Sequence, residues 1–97
     1  LNPVSSGNII RIPFPPLSEE RRKELVKMVH RMAEEFKISI RGFRRDAREE
    51  LKSLEKDGKI SEDDNHRAQE EMQKMTDHYI EEVDRILNVK EKEIMET

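Results

Sequence analysis

Leu54-Glu55-Lys56-Asp57-Gly58-Lys59-Ile60-Ser61-Glu62-Asp63-Asp64 is the stretch on which the fold turns. Asp57-Gly58-Lys59 closes one helix, because glycine enters the left-handed conformation after a helix end without the steric penalty of a Cβ. Ser61 opens the next. Its hydroxyl suits an N-cap, Glu62, Asp63 and Asp64 lie where the positive end of a helix dipole favours acids, and Ser-x-x-Asp has capping-box spacing. So short a connection lays the two helices antiparallel, side by side.

Upstream of that turn, Leu25, Val29, Met32, Phe36, Ile40, Phe43, Ala47, Leu51 and Leu54 recur at steps of four and three, close to the α-helical period. With Ser18 as N-cap and Glu19 and Glu20 in the first turn, one helix is predicted from Ser18 to Lys56, roughly 55 Å long. Gly42 lies inside it as a weak point of about 1 kcal/mol relative to Ala. Downstream, Ala68, Met72, Met75, Tyr79, Val83, Ile86, Lys90 and Ile94 keep the same rhythm almost to the end of the chain. Two helices bury only one seam, yet Val26, Met28, Ile80 and Leu87 widen both apolar stripes. The expected fold is therefore all-α: two long antiparallel helices of an incomplete bundle, completed by a third helix or by a second copy of the hairpin.

Residues 1–17 differ in kind. Asn2-Pro3 and Ser5-Ser6-Gly7-Asn8 are breaker clusters, and Ile9-Ile10-Arg11-Ile12 after them reads as one short strand. A single strand is not stable alone, so residues 1–12 are expected to belong to a separate unit whose other strands lie in missing sequence or in another chain. Pro13-Phe14-Pro15-Pro16-Leu17 is extended and stiff, a hinge between that unit and the helical unit of residues 18–97. The chain opens at Leu1 without an initiator Met, which suggests N-terminal truncation.

The 97 residues include 42% charged residues, three Phe, one Tyr, no Trp and no Cys. Disulfide and thiolate chemistry are excluded. No apolar run approaches membrane-spanning length and no signal-peptide pattern is present, so a soluble intracellular protein is expected. Net charge is only −3, but its distribution is uneven: residues 1–54 carry twelve Lys/Arg against eight Asp/Glu, and residues 55–97 seven against fourteen.

The basic excess has a place. At about 100° per residue, Lys37, Arg41, Arg44, Arg45, Arg48 and Lys52 fall within one sector of about 100°, a third of a turn from the apolar stripe. Any single arginine on so charged a helix is more often a solvated residue paired with a nearby acid. Six in one sector span about 22 Å, enough to meet several phosphates, and guanidinium groups suit bidentate phosphate contact. Acids of the second helix lying beside the stripe would neutralise it internally. His30, His66 and His78 have no metal-ligand spacing, and the pairs Glu34-Glu35, Glu49-Glu50, Glu70-Glu71 and Glu81-Glu82 read as solvated helix faces rather than a catalytic dyad. No phosphate-cradling glycine loop or nucleophile motif is present, and Met28, Met32, Met72 and Met75 read as core filler.

Several segments carry a likeness in order: Leu1-Asn2-Pro3, Gly7 to Leu17, Ser18-Glu19-Glu20-Arg21-Arg22-Lys23-Glu24-Leu25, Ile40-Arg41-Gly42-Phe43-Arg44-Arg45-Asp46-Ala47, Ile60-Ser61-Glu62-Asp63-Asp64 and Gln73-Lys74-Met75-Thr76-Asp77. Together they closely resemble the centre of the ribosome recycling factor family, over essentially all 97 residues. The resemblance implies a long three-helix bundle with a small β-rich domain inserted after its first helix. This chain would hold the last strand of that domain, the second hinge segment and bundle helices two and three.

By the same likeness the protein would bind the ribosome after termination and, with elongation factor G and the GTP that this partner hydrolyses, help to split the subunits. It would be no enzyme, need no cofactor and work in the cytoplasm, or in an organelle with bacterial-type ribosomes. The matching motif would set Arg41, Arg44 and Arg45 against large-subunit rRNA, with Lys37, Arg48 and Lys52 extending the stripe and Arg21 and Arg22 adding phosphate contacts near the hinge. Gly42 stands where the family pattern suggests Asn. The rival reading is a structural coiled-coil hairpin that pairs with another protein helix and binds no RNA.

Overall fold

The computed structural model describes residues 17–96, which form an α-helical hairpin. Helix α1 spans Glu19–Lys56 and helix α2 spans Glu62–Glu96. The strand expected at 9–12 and hinge residues Pro13, Phe14, Pro15 and Pro16 lie outside the described residues; Leu17, the last hinge residue, lies within them.

Each helix end forms as its sequence dictates. Ser18 is extended, and its Oγ accepts the backbone N–H of Arg21 at 3.0 Å, ahead of Glu19 and Glu20 in the first turn. At the far end Gly58 has φ 73°, the Lys59 N–H reaches the Leu54 carbonyl at 2.9 Å and the Gly58 N–H reaches that of Glu55 at 3.0 Å. This is the double closure of a Schellman motif. The capping box then forms in both directions: the Asp64 N–H donates to Ser61 Oγ at 3.0 Å and the Ser61 N–H to Asp64 Oδ2 at 3.3 Å. The Ser61 N–H first, then the Ser61 hydroxyl and the Arg67 guanidinium at 2.6 Å, hold the Asp64 carboxyl below its ordinary range.

The seam between the helices is narrow. Ala33 is the buried apolar residue among those described, and the small polar Thr76 and Asn65 are buried beside the contact line. Both polar groups are satisfied. Thr76 Oγ1 donates to the Met72 carbonyl at 2.8 Å, while Asn65 donates to Glu55 at 2.8 Å and accepts from Gln69 at 2.9 Å.

The seam has two unlike edges. Along one runs a polar ladder: Arg22 to the carbonyls of Ile94 and Met95, His30 to Glu91, Lys37 to Asp84, and Arg44 to Gln73. His30, Lys37 and Arg44 recur every seventh residue, so each returns to the same side of α1. Along the other edge Met32, Phe36, Phe43, Met75, Tyr79 and Ile86 stay uncovered, with Phe36 59% and Phe43 75% exposed. They line two apolar grooves of about 320 and 270 Å³ running along the hairpin. The described residues thus form two helices with a continuous apolar face left open.

Candidate nucleic-acid interface

The basic residues of α1 form one row in sequence, and the neighbouring helix divides them. Lys37 turns toward α2: its Nζ lies against the Asp84 carboxylate, with Glu34 at 3.7 Å, and the side chain is only 14% exposed. Its pKa is raised above 10.5, first by the hydrogen bond to Asp84. Arg44 is half-buried and donates through Nη1 to Gln73 Oε1 at 3.2 Å; Gln73 in turn donates to Asp77. These two cations hold the hairpin together.

The other four face solvent. Arg41 and Arg48 have no hydrogen bond or ion pair among the described residues. Arg45 lies 3.5 Å from its chain neighbour Asp46, and Lys52 lies 3.8 Å from Glu49, with all four side chains well exposed. Exposed pairs of this kind contribute roughly 0–1 kcal/mol each, so a phosphate displaces either acid at little cost. No acid of α2 pairs with any of these four cations among the described residues.

Their side chains surround a shallow concavity of about 540 Å³, lined by Ile38, Arg41, Gly42, Arg44, Arg45, Arg48, Glu49 and Lys52. Gly42 forms an open part of its floor: a Cβ built there meets nothing nearer than Arg45 Nη2 at 4.0 Å. Ile38 at its rim is 65% exposed. Three features were missing from the sequence reading: the inclusion of Ile38, the withdrawal of Lys37 and the Gln73 contact of Arg44. Ile38 alone left a signal, because it lies about 180° from the apolar stripe at 100° per residue.

Arg21 and Arg22 part company as well. Arg21 is exposed and pairs with Glu24 at 2.9 Å. Arg22 donates through Nε to the Leu17 carbonyl at 3.3 Å, and through Nη1 to the carbonyls of Ile94 at 3.0 Å and Met95 at 2.7 Å. One guanidinium thus ties the Leu17 carbonyl to the open carbonyls at the end of α2, where a helix lacks partners of its own.

Among the described residues no group of His, Cys, Asp or Glu is placed to hold a metal, and no helix is long and apolar enough to cross a membrane. The chain presents a basic face on α1 beside an apolar face awaiting cover.

Comparison with known proteins identifies the family. The family model described as ribosome recycling factor matches residues 1–95. Ribosome-recycling factors of Symbiobacterium thermophilum and of the Corby strain of Legionella pneumophila are each 56% identical over 96 residues, and that of Desulforapulum autotrophicum is 53% identical. In each case 99% of this chain is covered but only 52% of the relative, so the chain spans about half the length of the curated relatives it matches. With a family model matched over residues 1–95 and identities above half across nearly the whole chain, this hairpin belongs to the ribosome recycling factor family.

Proposed function

We propose that this chain is the ribosome-gripping part of a translation factor that binds the ribosome after termination and, with elongation factor G, promotes splitting of the subunits. The observation that carries the reading is the exposed set Arg41, Arg45, Arg48 and Lys52 around one concavity, free of acids from α2. Family membership points to the ribosome, and in this reading the basic face meets a polyphosphate surface on large-subunit rRNA. The protein acts mechanically and performs no catalysis itself.

In this reading the basic face anchors in an rRNA groove. The apolar grooves beside it are covered by a helix from the rest of the protein, which completes a stiff three-helix rod. The proline segment at 13–17 is the hinge through which elongation factor G displaces a small β-rich domain to which residues 1–12 belong. GTP hydrolysis belongs to that partner. The work takes place in the cytoplasm, where bacterial-type ribosomes are recycled.

Charge reversal of the exposed Arg41, Arg45 and Arg48 to Glu in the whole protein tests the reading. Ribosome affinity and subunit splitting should collapse while helicity, followed by circular dichroism, is kept. Unchanged ribosome binding would favour a protein-binding coiled coil that needs no RNA.

A further inference from the structure

The concavity on α1 is not purely ionic. Ile38 stands on its rim, 65% exposed, on the side of the helix opposite the apolar stripe. It has no place in the packing of the two helices. A β-branched residue also gives up side-chain freedom on a helix, so local helix formation does not favour it there. One turn further on, Gly42 presents no side chain, and the space above its backbone is open to 4.0 Å. Arg41 and Arg45 flank this opening in the same concavity. The result is a small apolar shelf beside a gap, framed by guanidinium groups.

We propose that Ile38 is a docking residue that packs on the sugar or base edge of an RNA strand whose phosphates are held by Arg41, Arg45 and Arg48. This rests on the basic face being the RNA-binding surface, and adds a contact of another kind to it. The occupant is RNA because cations dominate the lining of the concavity, Glu49 being its one acid, and a protein helix seated here would have to cover the unpaired charges of Arg41 and Arg48. Phosphate contacts give affinity that decays with salt, whereas apolar contact with a ribose or base does not release counterions. The shelf therefore supplies a salt-independent part of the affinity, beside phosphate contacts that position the strand.

The test compares Ile38→Ala with Arg48→Gln in the whole protein, binding to purified large ribosomal subunits over a series of salt concentrations. Ile38→Ala should weaken binding about five- to tenfold at every salt concentration, leaving the slope of log affinity against log salt unchanged; Ile38→Val should restore most of the loss. Ala is the better helix former, so a loss through unfolding is not expected, and circular dichroism checks it. Arg48→Gln should reduce the slope. If Arg48→Gln reduces the slope while Ile38→Ala binds like the parent, the shelf is wrong and the basic face stands. If neither variant changes binding, the basic face itself is wrong. A photo-crosslinking residue at position 38 should attach to rRNA, and attachment only to ribosomal protein would overturn the assignment.

Discussion

Salt dependence separates the cations that hold the hairpin from those that face a partner. Each phosphate contact contributes about −0.7 to −0.9 to the slope of log affinity against log salt concentration. With Arg41, Arg45, Arg48 and Lys52 engaged, ribosome binding should follow a slope of about −2.8 to −3.6, a loss of about 50- to 150-fold between about 50 and 200 mM salt. Replacing Arg41 and Arg48 by Gln removes two contacts, leaving a slope of about −1.4 to −1.8 and about a tenfold loss over the same interval. Lys37→Gln should leave the slope untouched, because that ammonium already lies against Asp84 and is largely covered. Equilibrium titration of large ribosomal subunits with labelled protein measures all three. A drop in slope for Lys37→Gln as large as that for Arg41→Gln would refute the division of the stripe, and an unchanged slope for the arginine pair would refute the interface.

The open apolar face makes an isolated hairpin prone to self-association, since burying side chains of the size of Phe36, Phe43 and Tyr79 is worth roughly 1.5–3 kcal/mol each. Sedimentation of residues 17–97 alone should show oligomers, and Phe36→Lys with Phe43→Lys should shift them to monomer; a well-folded parent monomer contradicts this. Arg22→Gln should speed amide exchange in the last turn of α2 without altering the salt slope, because Arg22 serves the carbonyls of Leu17, Ile94 and Met95 rather than phosphate. Equal exchange rates with a reduced slope would reverse that assignment. Asp64 and Glu82 both titrate below their ordinary values of 3.8 and 4.5, Asp64 chiefly through the Ser61 N–H and Glu82 chiefly through Arg85. A depressed carboxyl stabilises the fold above those values and loses its contribution as pH falls through the lowered ones. Thermal stability should thus decline below about pH 4, and Asp64→Asn should flatten the decline; identical acid profiles would show that the capping box carries no linkage.

The sequence made the hairpin legible because its signals are local. Ser18 and Ser61 act within one turn of themselves, and Gly58 answers a backbone conformation set by its immediate neighbours. The apolar rhythm likewise fixes which side of each helix turns inward. It does not fix where the neighbouring helix axis lies within that sector. Here α2 is offset toward Lys37 and Arg44, so two of the six basic residues fall inside its reach and four outside. The Asp84 and Gln73 partners sit 47 and 29 residues away from their cations, and no pattern on α1 alone names them. Ile38 is the converse case: its angle on the helix marked it as unexplained, but only the concavity gave it neighbours.

The offset of α2 also accounts for how one helix serves three surfaces at once. Because α2 packs between the basic and apolar sectors of α1, its polar flank meets cations and its other flank leaves Phe36 and Phe43 open. Had α2 covered the centre of the apolar stripe, a third helix would find no groove. Had it sat further toward the arginines, the acids that hold Lys37 would have neutralised Arg41 and Arg48 too. The ladder of Arg22, His30, Lys37 and Arg44 is therefore a set of stops that fixes the rotation of one helix against the other. These are partly exposed contacts whose individual contributions are small, so their value lies in orientation more than in stability. That rotation, more than the number of arginines, decides that the exposed basic face and the open apolar face stand on opposite edges of the same seam.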